Sequence, residues 1–178
     1  MRIVITGAPA SGKTTFFERL KKQPAFAGYL FFEEIARQLL REDPTYRQRH
    51  QEFHQEIYRR QAAREKAAGD RPFVSDRGTA DAFAFHPEAA TQVGTTIEKE
   101  YARYTAVIQL GTAAALGPQH YSRDDVRRES AEEAMAIERA IASVWHKHYG
   151  YHLIPAQPDF EAKYRDFLTL ATGLVGGT

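Results

Sequence analysis

Arg2-Ile3-Val4-Ile5-Thr6-Gly7-Ala8-Pro9-Ala10-Ser11-Gly12-Lys13-Thr14-Thr15 opens the chain and decides how the rest is read. Residues 2–6 form a short β-branched run, the composition of a strand buried on both faces of a parallel sheet. Gly7–Thr14 then matches Gly-x-x-x-x-Gly-Lys-Thr without a gap. Thr14–Lys22 reads as a helix that stops near Pro24. A strand, a glycine-bearing loop and a helix in that order form a phosphate cradle, a P-loop. Gly7 and Gly12 let the backbone turn sharply and approach a ligand. The N–H groups of Ala10, Ser11 and Gly12 and the helix N-terminus supply positive potential. Lys13 is expected to face solvent in the empty site and to reach the β- and γ-phosphates of a nucleoside triphosphate such as ATP. Thr14 would offer its hydroxyl to Mg2+, and Thr15 would touch the α-phosphate. The bland alternative is a glycine-rich turn with a solvated lysine.

Strands and helices go on alternating beyond this unit. Tyr29–Phe32, Pro72–Ser75, Ala106–Leu110 and Tyr151–Ile154 read as further strands. Helices are expected over about Glu34–Arg41, Thr45–Ala68, Ala131–Tyr149 and Asp159–Thr172. Asp43 is a plausible cap at the Asp43-Pro44 break, and Gly150 reads as a helix C-cap. The glycine-rich tail from Gly173 is expected to fray. Five alternations specify an α/β fold with a five-stranded parallel sheet and helices on both faces, a three-layer P-loop architecture. No linker divides the chain, so one domain over 1–178 is expected, with a lid-like segment at about 111–130.

Ligands in such sheets lie past the carboxyl ends of the strands. After the second strand come Glu33, Glu34 and Arg37. Glu34 either accepts a hydroxyl proton from an acceptor or caps a helix. Arg37, three residues on, would face the same pocket. After the third strand come Asp76 and Arg77: either a magnesium carboxylate with an anion-facing arginine, or a surface turn with a local ion pair. Arg123 and Arg127 are four apart in a charged run. They either clamp the transferring phosphate as a lid or belong to a solvated face. The 45–68 helix is either a basic solvated face or one wall of an acceptor pocket. His146 and His148 lie on different helix faces and read as structural.

Composition narrows the partners. The 178 residues carry a net charge of +1, which gives no argument for nucleic acid or an anionic membrane. Cysteine is absent, which excludes disulfides, thiolate metal sites and a cysteine nucleophile. No apolar run approaches the roughly 18 residues that cross a bilayer. A cytoplasmic location is the expectation.

Taken together, these residues resemble the P-loop kinase-like ATPase/kinase domains linked to NAD metabolism, relatives of the ribosylnicotinamide kinase domain of bacterial NAD-regulating proteins. The likeness rests on the opening motif, Glu34-Ile35-Ala36-Arg37, Phe53–Gln61, Val74-Ser75-Asp76-Arg77-Gly78 with Asp81, Tyr121–Glu129, and Tyr149-Gly150-Tyr151 running into Ile154-Pro155. Ala8 and Ala10 stand where that family often has glycine, and residues 79–104 match weakly. The resemblance implies ATP- and Mg2+-dependent transfer to a small hydroxyl-bearing acceptor, a nucleoside or ribosylnicotinamide-like compound. Lys13, Arg123 and Arg127 would neutralise the moving group, and Asp76 would serve the metal. Glu34, Arg37, Arg77 and Asp81 would face the acceptor. Two rivals stay open: an ATP hydrolase, and a non-catalytic nucleotide-sensing or partner-binding module.

Overall fold

In the computed structural model, which describes residues 1–121 and 129–177, the opening run becomes β1 (Arg2–Gly7), followed by α1 (Lys13–Leu20). The chain continues through β2 (Leu30–Phe32), α2 (Ile35–Glu42), α3 (His50–Ala68) and β3 (Phe73–Asp76). Three short helices follow: α4 (Asp81–Phe85), α5 (Ala89–Gln92) and α6 (Ile97–Tyr101). Then come β4 (Ala106–Leu110), α7 (Ala131–Trp145), β5 (Tyr151–Ile154) and α8 (Phe160–Gly176). The sheet order is β2-β3-β1-β4-β5, every pair parallel. The five-stranded parallel sheet with helices on both faces is therefore as expected.

Alternation along β1 divides the core. Ile3 and Ile5 pack with Phe16, Phe17 and Leu20 of α1 and Phe167 and Ala171 of α8. Val4 points the other way, with Phe73, Val107, Tyr104, Ile141 and Trp145, beneath α3, α4 and α7. The middle strand is thus buried on both sides, which is why it reads as an unbroken apolar run. Its carboxyl end, where Gly7 turns out of the sheet, lies between the ends of β3 and β4.

Several expectations need correction. The 45–68 segment is not one helix. Asp43 caps a separate 3-10 turn, Pro44–Arg47, by accepting from the Thr45 N–H, and Arg49 then leaves helical geometry before α3 starts. α7 stops at Trp145, capped at His146, so Gly150 is not its C-cap. Gly150 instead allows close approach to β4, where a Cβ would come within 2.3 Å of the Thr105 carbonyl. Tail residues 173–176 do not fray, because α8 continues through them. Residues 79–104, where the sequence pattern was weakest, hold α4, α5 and α6. α7 begins with a capping box between Ser130 and Glu133. His148 is structural as expected, buried with its ring Nε2 against the carbonyls of Tyr101 and Tyr104.

Candidate functional site

Three turns of backbone shape the phosphate cradle. A Cβ on Gly7 would sit 2.7 Å from both the Leu110 carbonyl and the Ser11 hydroxyl, so the close approach admits only glycine. Gly12 adopts φ +86°, and a Cβ there would also strike the Phe160 ring at 2.9 Å. Ala10 takes φ +61°. A left-handed alanine costs about 1–2 kcal/mol, so replacing glycine here strains the loop as well as stiffening it. The loop lines a cavity of about 460 Å³ together with Thr14, Thr15, Glu34, Arg37 and Arg77.

Charged groups from three strand ends meet below this cavity. Lys13 and Asp76 form an ion pair, and only 7% and 5% of their surfaces are exposed. Lys13 therefore does not face solvent in the empty site. Its partner across the sheet holds it, because burying either charge alone would be costly. The Arg77 guanidinium bonds Glu34 at 3.0 Å, lies 3.5 Å from Asp81, and sits over the Phe85 ring at 5.3 Å. Its backbone is left-handed, φ +72°, a second strained non-glycine residue at the site. Asp81 is buried and borders the adjoining 280 Å³ cavity, not the phosphate cavity. It accepts from the Thr6 hydroxyl and the Gly78 N–H, so it anchors the turn that carries Arg77.

Glu34 begins α2, yet its side chain makes no capping bond. It turns instead toward Arg77, with Arg37 at 3.6 Å, so Glu34 borders the cavity rather than capping the helix. Burial pushes its carboxyl up, but Lys13, Arg77 and Arg37 outweigh this and hold it down at about 2. Burial likewise works against the Arg77 charge, and Glu34, Asp81 and Asp76 more than restore it. Burial raises Asp81. Glu33 is exposed and pairs with Lys21 at 3.0 Å.

A second cavity, about 280 Å³, adjoins the first and shares Pro9, Glu34, Arg77 and Glu129 with it. Its far end is apolar and aromatic: Phe53, His54 and Ile57 of α3, Phe85 of α4 and Ile137 of α7. His54 lies nearly parallel to Phe85, with centroids 6.0 Å apart. Burial, with help from His86 and His50, lowers His54 to about 4, so the ring is neutral near pH 7. The basic segment has a solvated face and a cavity-lining face. Arg49, Arg59 and Arg60 pair with surface carboxylates, while another face walls this cavity. Phe53 and His54 lie in the stretch whose sequence resembles the family's third-helix motif, whereas nothing in the sequence pattern singled out Phe85.

Thr14 and Asp76 line a third recess of about 210 Å³ together with Glu18, Glu33 and Glu34, and with Arg37 and Arg41. A hydroxyl beside carboxylates suits a hard cation such as Mg2+. Among the described residues, no cluster of three histidine, aspartate or glutamate side chains could hold a metal unaided. Arg123 and Arg127 lie outside the described residues.

The family model described as an AAA domain matches residues 2–163. The chain belongs to that family. No curated protein matches the sequence. Among solved structures, this AAA-family chain is similar to deoxyadenosine kinase from M. mycoides with bound dATP, at TM-score 0.66 and 14% identity over 96% of this chain and 99% of that one. It is also similar to shikimate kinase from Acinetobacter baumannii in complex with shikimate, at TM-score 0.62 and 15% identity over 99% and 93%. The fold is accordingly a P-loop kinase-like fold. No helix among the described residues is long and apolar enough to cross a membrane.

Proposed function

We propose that this chain transfers the terminal phosphoryl group of ATP, with Mg2+, to a hydroxyl of a small acceptor held in the 280 Å³ cavity. The observation that carries this reading is the shared wall. Glu34 and Arg77 border the phosphate cradle on one side and an apolar, aromatic chamber on the other. A hydrolase needs room for one water at the γ-phosphate, and a sensing module needs no second chamber at all. The lining asks for an amphipathic acceptor, with a planar ring against Phe53, His54 and Phe85 and a hydroxyl at the charged end. A nucleoside or ribosylnicotinamide-like compound has that shape. The fold neighbour with bound dATP and the sequence resemblance support this class.

In the transfer, the acceptor oxygen bonds to the γ-phosphorus as the bond to the β–γ bridging oxygen breaks and ADP departs. Little covalent work falls to the protein. Lys13 leaves Asp76 for the β- and γ-oxygens, and Asp76 becomes free to serve the cation with Thr14. When bound, Mg2+ neutralises charge on those oxygens. Glu34 is held ionised and is a weak base. It orients the hydroxyl by accepting its hydrogen bond and takes the proton late, once bond formation has made the hydroxyl acidic. Arg77 keeps Glu34 in place, and Arg37 faces the phosphates. Arg123 and Arg127 are proposed to close over the transferring group.

A thermal-shift screen tests the reading, using nucleosides, ribosylnicotinamide and non-nucleoside alcohols with an unhydrolysable ATP analogue and magnesium. A compound at 100 times its Kd adds about 2.7 kcal/mol of stability, and hits are then assayed for phosphoryl transfer. ATP turnover that no compound accelerates would favour the hydrolase.

A further inference from the structure

One buried cation serves neither cavity. Lys163, in the first turn of α8, is 4% exposed. Its ammonium donates to the Ser11 carbonyl at 2.8 Å and to the Gly111 carbonyl at 2.5 Å. Among the described residues it forms no ion pair, and the nearest opposing influence is Glu138 of α7. Burying an ammonium against neutral oxygens alone is costly. Burial lowers its affinity for a proton to about 8, only partly countered by Glu138.

The neighbouring contacts give this position its meaning. The Thr112 hydroxyl donates to the Pro9 carbonyl at 2.5 Å, and the Ala113 N–H donates to the Ala10 carbonyl at 3.2 Å. Three successive carbonyls of the cradle, on Pro9, Ala10 and Ser11, are thus held from outside the cavity. In a planar trans peptide the C=O and the following N–H point in opposite directions. Drawing the Pro9 and Ser11 carbonyls outward therefore turns the Ala10 and Gly12 N–H groups toward the phosphates. These two residues are also the ones with left-handed backbone, where the loop most needs an external restraint.

We propose that Lys163 is a positioning residue for the nucleotide phosphates. It fixes the Ser11 peptide from behind and lends its charge to the cradle without touching the ligand. The inference rests on the reading of the 460 Å³ cavity as a nucleotide site. In that reading the triphosphate brings negative charge to the loop that Lys163 holds from behind.

The experiment measures binding of an unhydrolysable ATP analogue, with magnesium, by calorimetry, for wild type and for Lys163→Met, Lys163→Arg and Thr112→Val. Lys163→Met keeps the length of the side chain and removes donors and charge. We expect it to weaken the analogue by about tenfold or more, since two buried carbonyls lose their partner. With an acceptor from the screen, KM for ATP should rise in parallel while kcat changes by less than about threefold. Lys163→Arg should recover most of the affinity. If Lys163→Met fails to fold, Thr112→Val carries the test, with about threefold weaker binding expected at unchanged net charge. Binding by folded Lys163→Met, or failing that by Thr112→Val, within a factor of about 1.5 of wild type would overturn the inference and leave the nucleotide reading standing. Lack of binding by the wild type would overturn the nucleotide reading itself, and the inference with it.

Discussion

The phosphate cradle and the chamber beside it share Pro9, Glu34, Arg77 and Glu129, yet they are built from different material. The cradle is mostly backbone: a strand end, left-handed turns at Ala10 and Gly12, and the N-terminus of α1. The chamber is mostly side chains, delivered by α3, α4 and α7 from positions far apart in sequence. Backbone N–H groups recognise any triphosphate and tolerate few substitutions. Side-chain walls choose one acceptor and can be rebuilt without disturbing the cradle. Substitutions should therefore divide into those that stop all turnover and those that change only the acceptor.

The largest effect is expected at Lys13. Lys13→Ala should lower kcat/KM by roughly 10³-fold or more, since it removes a charge aimed at the transferring group. It also leaves the buried Asp76 carboxylate unpaired, so some thermal stability should be lost too. Lys13→Met combined with Asp76→Asn should regain the stability and none of the activity, which separates the two roles in one melting and one kinetic experiment. A double variant that turns over near the wild-type rate would remove the cradle from the chemistry.

Next in size is the pair Glu34 and Asp76, which both border the chamber, while Glu34 also lines the cradle. Asp76→Asn should raise the magnesium requirement and slow every turnover, hydrolysis by water included. Glu34→Gln should lower kcat for the acceptor by about 10²-fold or more while sparing slow hydrolysis. A magnesium titration of both variants, with and without acceptor, reads the difference. Equal loss of hydrolysis and transfer in Glu34→Gln would place Glu34 on water or metal and promote the hydrolase. Arg127→Ala should lower kcat by roughly 10²-fold with a smaller change in ATP binding, and a rise in KM alone would make it a ground-state clamp.

The difference in material also explains what the sequence disclosed. The cradle was legible because its chemistry is local: Gly7, Gly12, Lys13 and Thr14 lie within eight residues, and strand and helix patterns flank them. Glu34, Asp76 and Arg77 were legible because parallel strands bring their carboxyl ends to one rim. The Lys13–Asp76 pair was missed because it joins the start of α1 to the end of β3 across 63 positions, and neither residue's pattern names the other. Lys163 was missed for the same reason, 152 residues from Ser11 and inside an ordinary amphipathic helix. The break before α3 escaped because a 3-10 turn keeps a helix-like composition.

On the acceptor side, Phe85→Ala should raise the acceptor's KM by about tenfold and leave the affinity for the ATP analogue within twofold. The ring is 38% exposed, so its loss costs little core packing. It does remove the ring that lies nearly parallel to His54 and the contact with the Arg77 guanidinium. If analogue affinity falls as far as acceptor affinity, Phe85 supports the shared Arg77 rather than the acceptor, and the division between cradle and chamber is weaker than drawn.

The smallest effect concerns His54 and pH. In the folded chain its affinity for a proton is lowered to about 4 by burial, then by the like charges that His86 and His50 would carry. The unfolded chain returns it to the ordinary value of about 6.5. Between these values the unfolded state binds more protons than the native state, so stability falls as pH drops from about 6.5 to about 4. Above that window His54 contributes no pH dependence. Carboxylates titrate in the lower part of the window as well, so the informative quantity is a difference between proteins. Urea midpoints of wild type and His54→Gln, measured at pH 7.0, 6.0 and 5.0, should diverge because the wild type loses more stability on acidification. Glutamine keeps a polar group of similar reach and cannot take up a proton there. The acceptor should follow the same course, binding less well to the wild type at pH 5.0, where keeping His54 neutral costs more. Parallel midpoint curves for the two proteins would mean that His54 titrates normally, and that the aromatic end of the chamber is wetter than its lining implies.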